Sequence, residues 1–321
     1  MQGYGEKMAE IAAREIESWP TATPYKLRPR MQAITLEIIL ETVFGVHGGE
    51  RIGALRSALR DFLDLTTDPR LLAPVLLIGP ERIRRVPAFR RRLDRVDELI
   101  AHEVAERRQA EDLAERDDIL SMLVAARHED GTPMSDAEIR DELLTLLTAG
   151  HETTATALSW AVERLVRHPE KLERLRDEVL AGEEAYLTAT IQETLRLRPV
   201  IVIVIRKLTE PVELGGYELP AGVAVTPSIY LIHRDPRIYP EPDRFLPERF
   251  LDDPPGTYTW IPFGGGVRRC LGAAFAQFEM SVVLRELVKR HEIVPARPGS
   301  ERPFRRAITE TPRHDAEVIL V

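Results

Sequence analysis

Phe263-Gly264-Gly265-Gly266-Val267-Arg268-Arg269-Cys270-Leu271-Gly272 is the stretch on which the reading of this chain turns. It holds the single cysteine of the 321 residues and runs directly into AAFAQFEMSVVLRELVKR, an amphipathic helix signal. A cysteine where a Gly-rich loop enters a helix lies beside unpaired backbone N–H groups and the positive helix end. Both favour a thiolate, the form that ligates metal or attacks an electrophile. The loop lacks the Gly-Lys-Ser/Thr ending of a phosphate-binding loop, and its glycines do not fit G-x-G-x-x-G. A phosphatase-like loop needs an arginine six residues after the cysteine, and that position is Ala276. An inert buried thiol at a helix start leaves three consecutive glycines and two arginines without a role.

Working outward, Pro236 to Pro262 is a proline-rich, aromatic-containing segment with little periodicity, and long irregular segments of this kind tend to be functional. Further upstream, Val200 to Ile205 is a β-branched run. Gly215-Gly216 and Pro220-Ala221-Gly222 punctuate strand candidates near Tyr217–Leu219 and Val223–Pro227. Before Pro199 the chain reads as amphipathic helices, with Leu36, Ile39, Leu40 and Val43 spaced as one buried stripe. The expected class is therefore mainly α with a small β region (α+β). The longest helix candidate runs from Asp136 to Arg167, opened by a capping box of Ser135 with Glu138 and closed by His168-Pro169. Its centre, Ala149-Gly150-His151-Glu152-Thr153-Thr154, is polar within a Leu/Ala/Val-rich helix. A threonine there can turn its hydroxyl onto the carbonyl one turn earlier, and Gly150 lacks the Cβ that would resist a bulge or a close approach. Taken alone, this segment is read equally well as a kinked helix with a polar outer face.

A formal charge of −8 argues against a nucleic-acid partner, because neutralising phosphates requires a basic surface. One cysteine excludes an internal disulfide and a multi-cysteine zinc site. The longest apolar run, Leu71 to Gly79, is short and interrupted by Pro74, so no membrane span is expected in the chain. With no signal-peptide pattern visible, the expected location is cytoplasmic. ERRQAEDLAERDD, from Glu106 to Asp118, reads as a solvated helical face. No Gly/Ser- or Pro-rich linker divides the chain, so residues 1–321 are expected to form a single domain.

Phe263, Gly266, Arg268, Cys270 and Gly272 together resemble the cysteine loop of the cytochrome P-450 family, a highly specific motif. Glu193-Thr194-Leu195-Arg196 is similar to the family's Glu-x-x-Arg pair, and Arg249, in Pro247-Glu248-Arg249-Phe250, completes a Glu-Arg-Arg cluster. Ala149 to Thr154 resembles the oxygen-activating segment of the long central helix. The four motifs stand in the family's order.

This resemblance implies a haem-thiolate monooxygenase with haem b as cofactor and Cys270 as the iron ligand. Thiolate donation pushes electron density towards the iron and favours O–O cleavage. By position Glu152 and Thr153 form a proton-delivery pair. Arg206 and Arg268 match positions that pair with haem propionates, and Phe263, Gly266 and Gly150 line the cofactor. The implied partners are a ferredoxin or similar electron donor with its reductase, with Arg269 at the docking face, together with O2 and a small organic substrate. Val202 and Val204 match positions near the substrate, which points to an apolar molecule. The family has further helices and strands ahead of the segment that opens this chain, so Met1 is expected to be an internal methionine of an N-terminally truncated form. The alternatives are a haem-poor remnant with a structural or interaction role, and a haem-thiolate peroxygenase or isomerase.

Overall fold

Helices carry most of the computed structural model, which describes residues 2–45, 50–67, 86–252 and 256–321. Two compact units are present, one from Met1–Trp19 with Pro29–Ala155 and one from Pro20–Arg28 with Thr156–Val321. The apolar run from Leu71 to Gly79 lies outside the described residues. Among those described, no helix is long and apolar enough to cross a membrane.

The first unit is built on α1 (Gln2–Glu17), α2 (Leu27–Phe44), α3 (Glu50–Thr67), α4 (Pro87–Arg108), α5 (Ile119–Ala125) and the first part of α6 (Asp136–Val166). The predicted stripe of α2 is buried at Leu36, Ile39, Leu40 and Val43, and Ile34, Ile38 and Phe44 are buried as well. Helix α2 is thus enclosed around most of its circumference, and its acids survive there by pairing: Glu41 with Lys7 at 3.1 Å and Glu37 with Arg56 at 2.6 Å. Helices α3 and α4 lie against each other, with Phe62 and Phe89 in ring contact at 5.5 Å and Arg51 bound to Glu106.

The stretch from Glu106 to Asp118 departs from its expected form as a solvated helical face. Helix α4 ends at Arg108, and only a 3-10 turn at Leu113–Glu115 follows before α5. Arg107 and Asp118 are buried against each other. Asp118 caps α5 by accepting from the Ser121 amide at 2.9 Å, while Arg107 donates to Asp118, to the Ser121 hydroxyl and to the Phe44 carbonyl. A charge-rich composition therefore conceals an ion pair joining the ends of α2, α4 and α5. Its charges are out of water but share several hydrogen bonds, which is what a buried pair requires.

The capping box of α6 is present, with the Ser135 amide donating to Glu138 Oε2 at 2.8 Å and the Glu138 amide to Ser135 Oγ at 3.3 Å. The helix runs to Val166, and Pro169 then opens α7 (Pro169–Ala181), which ends on left-handed Gly182 at φ 82°.

In the second unit, α8 (Ala185–Leu197) is buried over nearly its whole length and packs against α7 and α11 (Ala273–Arg290). Strands β1 (Tyr25–Lys26), β9 (Glu317–Leu320) and β6 (Ile293–Pro295) form an antiparallel sheet in that order. Three antiparallel ribbons accompany it: β2 (Arg206–Lys207) with β5 (Ala224–Val225), β3 (Val212–Leu214) with β4 (Tyr217–Leu219), and β7 (Pro303–Arg306) with β8 (Thr309–Pro312). Gly215 and Gly216, at φ 60° and 82°, make the two-residue turn between β3 and β4, where both positions need a positive φ.

Val200 to Ile205 does not form a ladder strand. It is extended, with one bridge from Ile203 to Ser228 and bonds from the Val204 amide to the Pro227 carbonyl and from the Tyr230 amide to the Val202 carbonyl, both at 3.1 Å. The partner segment turns helical at once, because Ser228 caps the short helix α9 (Ile229–Ile232). A β-branched run supplies an extended backbone, but a ladder also needs a partner that stays extended.

Arg107→Ala leaves Asp118 buried without its cation, which typically costs about 3–5 kcal/mol. Chemical denaturation is expected to show a loss of that size, with Asp118→Ala and the double variant no worse than the single one.

Candidate active site

Cys270 is exposed, which removes the inert buried thiol from consideration. It lies just before Gly272, the N-cap of α11, so the unpaired first-turn N–H groups of a long helix begin three residues on. The loop closes on itself: the Cys270 amide donates to the Phe263 carbonyl at 3.0 Å and the Gly264 amide to the Ile261 carbonyl at 2.9 Å. Gly264 and Gly266 sit at φ 70° and 65°, conformations that a side chain strains, which is the local reason for glycine. A Cβ on Gly264 would also meet Val204 Cγ1 at 3.7 Å, so Val204 lies alongside this loop.

The face around the cysteine suits a large, flat, anionic cofactor. Val267 and Leu271 are almost wholly exposed apolar side chains flanking the thiol. Arg268, two residues before it, and Arg206, on β2, are exposed, and neither forms an ion pair among the described residues; the Arg206 guanidinium donates to the carbonyl of Ile205 at 2.9 Å. Apolar groups to cover a ring, two cations for its carboxylates and a sulfur for its metal are the donor set that haem requires.

The loop is rooted in a buried charge cluster. Glu193 and Arg196, both 0% exposed on α8, meet at 2.7 Å and 2.9 Å, and Arg249 on α10 (Arg249–Asp252) reaches Glu193 at 3.3 Å. Arg196 also donates to the carbonyls of His233, Pro242 and Arg244, and Glu193 accepts from the Leu246 amide at 2.8 Å. The three residues expected to cluster therefore do so. From there a chain of ring contacts runs through Tyr239, Phe250, Trp260 and Phe263, with centroids 6.0–6.5 Å apart, into the cysteine loop.

His233 carries no motif in the sequence. It is fully buried, its Nδ1 facing the Arg196 carbonyl at 3.1 Å and its Nε2 accepting from the Ile261 amide at 2.9 Å. Burial, opposed by the bond to the Arg196 carbonyl and reinforced by the nearby Arg196 and Arg234 charges, pushes its pKa down to about 3. Nothing in its local spacing sets it apart from an ordinary core histidine.

In the first unit, the polar centre of α6 is satisfied by α2. Thr153 donates to the Ala149 carbonyl at 2.7 Å, the back-bond anticipated for a threonine in a helix interior. Gln32 donates to Glu152, and the Thr35 hydroxyl bonds the Nδ1 and the carbonyl of His151 at 3.0 Å and 3.1 Å. A Cβ at Gly150 would meet Ile39 Cδ1 at 3.4 Å, an ordinary packing distance, so α2 runs against this turn of α6.

Arg196→Ala is expected to cost about 3–5 kcal/mol on denaturation and to lower the yield of folded chain, because Glu193 stays buried with only part of its compensation. Arg249→Ala, which removes a longer contact, is expected to cost less than half as much in the same measurement.

A family model described as cytochrome P450 matches residues 4–315. Cytochrome P450 135B1 of Mycobacterium tuberculosis is 46% identical over 324 residues, covering 97% of this chain and 67% of the relative. Cytochrome P450 135A1 of the same species is 40% identical, covering 100% of this chain and 71% of the relative. The chain thus spans about two thirds of the length of these relatives. A solved structure of retinoic acid-bound cyanobacterial CYP120A1 superposes with a TM-score of 0.85 at 27% identity, over 99% of this chain and 74% of that one. The match extends through every motif described above, and the chain belongs to the cytochrome P450 family.

Proposed function

We propose that this chain, residues 1–321, is one cytochrome P450 domain that acts as a haem-thiolate monooxygenase on a small apolar organic substrate. The observation that carries this reading is the exposure of the only cysteine on a loop turned by left-handed Gly264 and Gly266, whose root is tied to the buried Glu193–Arg196–Arg249 cluster. Haem b, when bound, supplies the redox-active iron at which O2 is reduced and cleaved.

The protein's own residues do the rest. Cys270 holds the metal through its sulfur, next to a helix N-terminus, where negative charge is favoured. Arg206 and Arg268 would hold the cofactor's two carboxylates, Phe263 and Gly266 would line it, and Gly150 would leave α6 without a side chain where the cofactor needs room. Glu152 takes up protons and Thr153 passes them on; the Thr153 hydroxyl, bonded to Ala149, can rotate away from that carbonyl to donate elsewhere. Gln32 keeps the Glu152 carboxylate in one orientation. Val204, beside the cysteine loop, and Val202 give the substrate an apolar wall, and the structural neighbour's ligand, retinoic acid, is apolar over most of its length. Electrons come from a ferredoxin-type donor docking near Arg269 in the cytoplasm.

Cys270→Ser is expected to abolish the red-shifted band of the reduced carbon monoxide complex, since an alcohol is a poor donor at neutral pH; an unchanged band removes the assignment. Thr153→Ala is expected to retain haem while diverting most reducing equivalents to hydrogen peroxide, measured as product formed per electron consumed. An unchanged ratio counts against the proton-delivery role.

A further inference from the structure

His233 is a buried titratable side chain that the proposed chemistry does not use, and its contacts run in two directions. Its carbonyl accepts from Arg196 Nη1 at 2.7 Å, while its ring nitrogen Nδ1 faces the Arg196 carbonyl at 3.1 Å. These two groups therefore clamp each other, side chain to main chain, both ways. The opposite ring nitrogen, Nε2, accepts the Ile261 amide at 2.9 Å. From Ile261 the bonding continues into the cysteine loop: its carbonyl holds the Gly264 amide, and the adjacent Phe263 carbonyl holds the Cys270 amide. The same segment has two more tethers, from Tyr239 to the Thr259 carbonyl and from Trp260 to the Gln192 carbonyl, both at 3.1 Å. Of the three, the histidine is the one whose side chain bonds directly both to a member of the Glu-Arg-Arg cluster and to the root of the loop.

We infer that His233, in its neutral form with the proton on Nδ1, is a positioning residue that transmits the fixed geometry of Arg196 to the loop carrying Cys270. Its partners settle the tautomer. A carbonyl at one nitrogen requires a donor, and an N–H at the other requires an acceptor. A second proton, on Nε2, would set two donors against each other at Ile261. With a pKa pushed down to about 3 by burial, that proton is refused throughout the neutral range. The link cannot be reproduced by a side chain that only fills the space, and each half can be removed separately. The amide of asparagine ends where Nδ1 does, and that of glutamine where Nε2 does. His233→Asn therefore keeps the Arg196 carbonyl bond and loses Ile261, whereas His233→Gln keeps Ile261.

This inference rests on the proposed role of Cys270, but its primary readout needs no haem. Amide hydrogen exchange at Ile261 and the alkylation rate of Cys270, the only thiol in the chain, are measured on the full chain as purified. In the parent, Ile261 is expected to exchange as slowly as the amides of α8. In His233→Asn and His233→Phe it is expected to exchange at least tenfold faster, with Cys270 alkylation rising in parallel, while His233→Gln stays within about threefold of the parent; a lost hydrogen bond of about 1.4 kcal/mol corresponds to tenfold. In haem-loaded samples the fraction showing the red-shifted carbon monoxide band is expected to fall in the same order. Equal exchange in the Asn and Gln variants, or an unprotected Ile261 amide in the folded parent, overturns the inference and leaves His233 a packing residue. If the variants fail to fold, the parent measurement alone decides. The expected exchange pattern in a chain that binds no haem would uphold the link while rejecting the monooxygenase reading.

Discussion

The structure around Cys270 depends on one interaction, the ion pair of Glu193 and Arg196, held with no exposure to water. Burying two charges is costly, and their mutual attraction offsets that only when every remaining hydrogen-bonding position is filled. Here they are filled. The five N–H groups of Arg196 go to the two oxygens of Glu193 and to the carbonyls of His233, Pro242 and Arg244. Glu193 also receives the Leu246 amide and Arg249. Because the partners are mostly main-chain groups from His233 to Leu246, satisfying the pair fixes the path of a segment that has almost no regular secondary structure.

That is how an irregular, proline-rich segment serves as a rigid mount. Its backbone groups are claimed by side chains of α8 and α10 in place of a ladder or helix, and its aromatic side chains meet in tilted and edge-on contacts from Tyr239 to Phe263. Arg196 also lies over the Tyr239 ring at 5.1 Å, so the charged cluster and the aromatic chain are in contact. The cysteine loop at the far end takes left-handed backbone at Gly264 and Gly266, which glycine adopts without steric cost.

The first unit solves a related problem at α6. Histidine, glutamate and threonines in the middle of a helix need partners, and α2 supplies them through Gln32 and Thr35, while Thr153 uses its own helix. Gly150 is part of the same arrangement, since Ile39 of α2 lies against it. Arg107 and Asp118 repeat the logic of α8 with a different purpose, joining helix ends.

Much of this was legible in the chain itself. The capping box at Ser135, the strand Tyr217–Leu219, the entry of the cysteine loop into α11 and the grouping of Glu193, Arg196 and Arg249 all rest on signals within a few residues or on a specific motif resemblance, so the sequence determined the fold class, the family and the place of the cysteine loop ahead of its helix. The tertiary structure alone decided which charges are interior, and three readings changed or appeared for that reason. Arg107 and Asp118 left the solvated face to which composition assigned them, the run from Val200 to Ile205 stayed extended without a ladder because its partner turns helical at Ser228, and His233 emerged as the link between α8 and the loop. In each case the deciding partner is a main-chain group or a side chain that only folding brings near, and hydrogen bonds to main chain leave no residue type in the sequence to mark them.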